Sequence, residues 1–212
     1  MGNEKKPFRK HQVTRTCVRV FSNYQSYKAY LASDFSCRCG YCDMPDYLTD
    51  VPFEIDHFIP RSIFSGKNDE LLTKYSNLVY CCPRCNKSKS DQFDGNDLSD
   101  NPRFYDPGSV DVNKHFFRDK AGRICSDDTK GRLEIVYLSL YDPYYSLMFV
   151  LDNINELLSE AKAQLFVEVD QKRITFLTET IRRLSALFLN YKSVLRAMNK
   201  GRKASSFVLR LQ

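Results

Sequence analysis

With 212 residues, 42% apolar and 27% charged side chains and a formal net charge of +6, the chain is long enough for one sizeable core, or for a compact module with a helical appendage. No apolar run is long enough to span a bilayer, and the basic N-terminus lacks the apolar core of a signal peptide. The Met1-Gly2 start has Lys6 where a myristoylation signal needs Ser or Thr. A cytoplasmic protein is expected. In that reducing setting, eight cysteines point to metal or buried thiols and not to disulfides.

The first segment, residues 1–36, reads as a loose basic arm over 1–12 followed by a short helix. Lys5, Lys6, Arg9, Lys10, Arg15 and Arg19 face one acid, Glu4, in the first 20 residues. Residues 13–21 suit a short extended segment, and Ser22 or Asn23 suits the cap of a helix through Tyr30 and Leu31. From Cys37 onward the texture becomes dense in Cys, Pro, Gly, Asp and Asn, which marks residues 37–92 as a metal-organised module. Within it Val51–Asp56 alternates as a strand, Pro60 pushes Ile59 towards extended geometry, and Asn77–Cys81 is a second β-prone run. Pro83, tolerated in a first helical turn, opens a helix through Asn86 and Lys89. Residues 93–140 form a connecting region with turn signals at Asp94-Gly95-Asn96 and Asp106-Pro107-Gly108. The irregular stretch over 92–130 is long for a compact domain, and ordering by a partner or by DNA is expected for part of it.

Residues 141–212 read as helical. Ile154, Leu157, Leu158, Ala161 and Leu165 share one face, and Ile174, Leu177, Ile181, Leu184, Phe188, Tyr191, Leu195 and Met198 follow heptad spacing. That second helix is expected to pack on the first as a hairpin, or on another chain, and to stop at Lys200–Lys203 with Gly201, leaving a tail. Residues 172–212 carry ten Lys or Arg and one acid, Glu179, whereas acids predominate from Asp43 to Glu70. Basic ends around an acidic middle suit a periphery that grips phosphates and a centre that binds a cation.

The chemistry lies in the middle. Cys39-Gly-Tyr-Cys42 and Cys82-Pro-Arg-Cys85 are two C-x2-C knuckles separated by 39 residues. Each turns two thiolates towards one point, and the two together complete a closed tetrahedral site for structural zinc. Cys37 and Cys81 are neighbours that break the two-residue spacing; Cys17 and Cys125 are expected to be ordinary buried thiols. Between the knuckles stand Glu54-Ile-Asp56-His57-Phe-Ile-Pro60-Arg61-Ser62 and Asn77-Leu-Val, and the second knuckle runs on into Asn86-Lys87-Ser-Lys89. On a strand, Asp56 and His57 point to opposite faces unless the chain bends.

The segment from Cys39 to Lys89 resembles the HNH, or ββα-metal, endonuclease family, with all four motifs in order and Asn86 at the last signature position. The fold class this implies is α+β: a zinc-stapled ββα-metal nuclease module with a mainly α-helical C-terminal region. The resemblance further implies a metal-dependent endonuclease acting on DNA; weak sequence specificity is expected because the sequence shows no helix-turn-helix or finger array that would read bases. In that reading Asp56 and Asn86 hold one magnesium or manganese ion, His57 is the general base, and Asn77 holds the loop that orients His57. Arg61, Arg84, Lys87 and Lys89 are candidate phosphate contacts. The layout is loosely similar to HNH proteins of bacterial anti-phage systems of the Septu type, which implies an ATPase partner; the 174–198 helix is the nominated docking or self-association surface. The alternatives are a zinc-knuckle nucleic-acid-binding module that does not cleave, and a structural subunit whose work lies in the helices.

Overall fold

The computed structural model describes residues 5–94, 98 and 100–199. The expected stop at Lys200–Lys203, the tail after it and the Gly95-Asn96 part of the first turn signal lie outside them. The architecture is mixed α+β, with small sheets, a four-cysteine cluster and long C-terminal helices. The chain divides into two compact units, Met1–Tyr145 and Ser146–Gln212.

The first unit starts with β1 (Lys6–Pro7), which pairs antiparallel with β4 (Phe117–Arg118); β4 pairs in turn with β5 (Ile124–Cys125). The expected loose arm is therefore a strap. Phe8 and Arg9 are buried, because the strand pairing draws them under the hairpin. Beyond them the chain runs extended and is held by side chains. Thr16 donates its N–H (2.8 Å) and its hydroxyl (2.6 Å) to Asp34. Arg15 grips Asp106 at 3.2 Å and the Leu78 carbonyl at 3.2 Å. Its guanidinium lies flat against Gly108, where an added Cβ would sit 2.3 Å from it. Asn23 caps a 3-10 turn by accepting from Gln25 N–H (2.9 Å), and α1 (Lys28–Asp34) follows.

Next come β2 (Glu54–His57), the one-turn α2 (Arg61–Phe64), β3 (Leu78–Cys81) and α3 (Pro83–Lys89). The strands pair antiparallel, with Asp56 opposite Val79 and His57 opposite Leu78. Pro83 occupies the first turn of α3, where its missing N–H costs nothing. Leu31, Phe35, Phe53, Phe64, Leu78 and Val79 form the core around this hairpin.

The described residues of the connecting region are held by contacts within the chain. Asn101 donates to the carbonyls of Phe58 (3.3 Å) and Gln92 (3.1 Å), Arg15 fixes Asp106, and Asp119 closes the β4–β5 turn by accepting from the Ala121 and Arg123 N–H groups. Phe104, Val112 and Phe116 are buried and pack the stretch, while polar side chains fix its turns; without apolar periodicity neither shows as a regular element in the sequence. It leads into α4 (Thr129–Tyr137), capped by Asp128, which accepts from Gly131 N–H at 2.6 Å.

In the second unit, α5 (Pro143–Val167, entering from the first unit) and α6 (Gln171–Asn199) are joined by a three-residue link at 168–170. Asp170 caps α6 through Arg173 N–H (2.8 Å), and Glu179 takes Arg182 and Arg183 one turn on. Along the heptad face Leu177 and Leu195 are buried and the residues between them are half-covered, as the spacing predicts; Leu157 of the other predicted stripe stays 50% exposed.

Glu134 of α4 is buried and accepts from Tyr105 N–H at 2.8 Å. Burial lifts its carboxyl from 4.5 to about 8, against the pull of that N–H and of Lys130. The unfolded chain releases the proton near 4.5 while the folded chain keeps it, so stability falls as pH rises from 4.5 to about 8. Glu134→Gln keeps an acceptor for Tyr105 and removes the titration. Urea midpoints are expected to show it close to wild type at pH 5 and clearly more stable at pH 8.

Candidate metal centre and active site

The two knuckles meet. The Sγ atoms of Cys39, Cys42, Cys82 and Cys85 all lie within 4.8 Å of one another, and all four residues are buried. Cys42 and Cys82 are 3.9 Å apart, close to the ~3.8 Å edge of a tetrahedron with zinc–sulfur bonds of about 2.3 Å. Soft, convergent and closed, the donor set fits structural zinc. Local geometry explains the convergence. Asp43 N–H bonds the Cys39 carbonyl (2.9 Å), Cys39 N–H bonds Met44 O (2.9 Å), and Cys82 caps α3 with its own sulfur accepting from Cys85 N–H (3.4 Å). Gly40 lets the first knuckle lie on β3, since a Cβ there would meet Val79 at 2.7 Å and Phe35 at 2.8 Å. Cys81 is buried outside the cluster, Cys37 is exposed, and Cys17 and Cys125 are half-buried.

The pleat of β2 sorts the remaining candidates onto two sides. Glu54 and Asp56 face α3. The Asp56 carboxylate is buried, accepts from the Tyr41 hydroxyl at 2.6 Å and pairs with Lys89 Nζ at 2.9 Å. Burial raises its pKa, while Lys89 and the Tyr41 hydrogen bond pull it down. Lys89 is fully buried and also donates to the His57 carbonyl at 2.9 Å. It is therefore not a surface phosphate contact, because its ammonium is the counter-ion of a buried carboxylate. One turn earlier on α3, Asn86 donates to Glu54 at 2.5 Å. Asp56 and Asn86 thus sit at the same β2–α3 junction, each with a different partner.

His57 points the other way. Its ring lies between Tyr24, edge-on at 4.8 Å, and Phe64 at 5.9 Å, and Nε2 is 2.9 Å from the Leu72 carbonyl. A carbonyl only accepts, so Nε2 carries the proton and Nδ1 is left as the basic nitrogen. Burial holds the imidazole below 6.5, against the pull of the Leu72 carbonyl and Asp56, so it is neutral at pH 7. Asn77 braces the same loop. Its side chain accepts from Ile59 N–H (2.8 Å) and donates to Leu71 O (3.1 Å), and its carbonyl takes Phe58 N–H (2.8 Å). A cleft of about 390 Å³ shares Phe64 and Leu72 with the His57 pocket, and Arg61 lines it. Arg61 and Lys87 are exposed, whereas Arg84 holds Asp142 at 2.9 Å and stacks 3.9 Å over Tyr144.

Two participants had no role assigned from sequence. Glu54 was signalled by its alternation with Asp56 towards α3. Tyr41, inside the first knuckle, gave no signal at all.

Residues 39–92, roughly a quarter of the chain, match the family model described as HNH endonuclease. Neither the curated proteins nor the solved structures gave a match. The segment is an HNH endonuclease domain, of a family of phosphodiester hydrolases, with a buried four-cysteine cluster.

Removing Lys89 strands the Asp56 carboxylate in a dry site. Lys89→Met is expected to lower unfolding free energy by about 3–5 kcal/mol, and Lys89→Met with Asp56→Asn to recover part of it. Urea denaturation checks both; a single variant as stable as wild type contradicts the pairing.

Proposed function

We propose that the protein is a divalent-metal-dependent endonuclease that hydrolyses phosphodiester bonds in DNA with little sequence preference. The observation that carries this is His57. Inside the segment that matches the HNH model it is held neutral at pH 7, with Nε2 fixed on Leu72 O, which leaves Nδ1 as the basic nitrogen, and its pocket shares Phe64 and Leu72 with a cleft. Nδ1 takes the proton of the attacking water, and Leu72 O and the Asn77 brace keep the ring in position while it does so. Asn86 with the β2 carboxylates, Asp56 and the more exposed Glu54, are hard oxygen donors that suit magnesium or manganese; they face α3 while the His57 ring faces the other side of β2, so this reading requires the two sides to meet on one phosphate and the cation to displace Lys89 from Asp56. When bound, the cation supplies charge stabilisation to the scissile phosphate and the leaving 3′ oxygen. Arg61 and Lys87 bind flanking phosphates. Weak specificity follows from the lack of any base-reading helix in the sequence pattern.

The loose likeness in layout to anti-phage nucleases supports a finer reading, a nuclease subunit under an ATPase partner that docks on α6. Phe176, Leu187 and Leu189 are exposed on that helix. None of the eight cysteines is in a disulfide, and among the described residues no helix is long and apolar enough to cross a membrane.

Nicking of supercoiled plasmid at low salt, with magnesium, manganese or EDTA, tests the activity. Wild type is expected to nick only with metal, and His57→Ala to lose at least about a hundredfold. Metal-independent nicking, or full activity in His57→Ala, rejects the mechanism. A folded, zinc-loaded protein that binds DNA without cutting favours the non-cleaving module.

The same assay carries a pH signature. A base works only when deprotonated, so rate is expected to fall on acidification, with a midpoint below 6.5.

A further inference from the structure

We propose that Arg9 and Arg118 are the counter-charges and outer braces of the tetrathiolate zinc centre, so that metal retention by this HNH domain depends on residues outside it. The proposal rests on the zinc reading of the four cysteines and is independent of cleavage.

Both guanidiniums are buried, with Arg9 3% and Arg118 2% exposed. Both are aimed at the backbone of the first knuckle. Arg9 donates to the Gly40 carbonyl at 2.6 Å and to Pro107 O at 3.4 Å. Arg118 donates to the Cys42 carbonyl at 2.8 Å, to Gly122 O at 2.9 Å and to Phe8 O at 3.4 Å. The two carbonyls they grip belong to a ligand and to its neighbour in the knuckle. Neither arginine lies in the matched segment 39–92. They are brought together by the β1–β4 pairing, in which Lys6 faces Arg118.

Charge explains why two arginines are buried there. Four thiolates around one divalent zinc carry two net negative charges, and Asp43, one residue past Cys42, adds a third. Asp43 lies 3.5 Å from Arg9 Nε and 3.8 Å from Arg38. Arg9 and Arg118, with the half-buried Arg38 at the edge, set positive charge against this negative centre. His11, 3.8 Å from Asp43, is pushed down to about 4 by burial and by Arg9 and Arg38, and contributes no charge at pH 7. Buried positive charge is costly unless it is answered, and a negative zinc–thiolate centre beside the knuckle that both arginines grip answers it. The collar and the metal therefore stabilise each other. Partners in the outer shell of a metal site typically change affinity 10–100-fold.

The test uses the full chain. Zinc content is measured after exhaustive dialysis, then zinc transfer to a colorimetric chelator is timed. Arg9→Gln and Arg118→Gln are each expected to release zinc about tenfold faster than wild type or more. Arg9→Lys and Arg118→Lys, which keep the charge and lose the fork, fall between, and they replace any glutamine variant that does not fold. Arg15→Gln is the matched control: its side chain is 12% exposed and holds Asp106, Ser109 and Leu78 O, and none of its hydrogen bonds goes to residues 39–42. It is expected to lose stability and keep the wild-type release rate. Wild-type release by the Arg9 or Arg118 variants, or equally fast release by Arg15→Gln, overturns the proposal. A wild-type protein that holds no zinc removes the underlying metal reading as well, whereas the nuclease reading stands or falls on plasmid nicking alone.

Discussion

The convergence of four sulfurs is the constraint on which residues 39–92 depend. Two four-residue strands and a seven-residue helix bury too little apolar surface to hold their mutual positions. The cysteine cluster supplies what the core cannot. Because Cys82 is also the cap of α3, a member of the cluster and the start of the helix are one residue. The direction of α3, and with it the place of Asn86 and Lys89 over β2, follows from the sulfur geometry. Gly40 extends the same logic to the strands, since the first knuckle must lie flat on β3 for its cysteines to reach.

On that frame the pleat of β2 divides the chemistry. The Asp56 side is an electrostatic junction, with an ion pair in the dry interior and a carboxylate–amide pair nearer the solvent. The His57 side is aromatic and aliphatic, and this environment, with one carbonyl, fixes the tautomer of the ring. Two neighbours in sequence thus sit in opposite dielectric settings. Lys89 spans the division, binding the side chain of one and the backbone of the other, so the strand cannot twist at this point without breaking a buried pair.

What was legible in the sequence follows from what leaves a local pattern. The knuckles, the two strands, the proline-led helix and the heptad face are spacing rules, and the structure shows them near the expected positions. The strap was not legible: a two-residue strand that pairs position 6 with position 118 has no periodicity to read. Arg9 and Lys89 were misjudged for a related reason. Lysine and arginine are rarely buried, and only the three-dimensional position of Asp43, the zinc knuckle or Asp56 turns a solvated charge into an interior one. Glu54 was visible as part of a motif, but its partner on α3 depends on how the helix crosses the strand, which sequence spacing does not state.

The β1–β4 pairing has a consequence for synthesis. The last cysteine of the cluster is at position 85 and the second brace at 118, so the ligands are complete 33 residues before the collar is. At 5–20 residues per second this gap is roughly two to seven seconds. During that interval the nascent chain has all four cysteines and Arg9 but not Arg118. On the zinc reading, metal bound in that interval places the negative centre before Arg118 arrives to close on it.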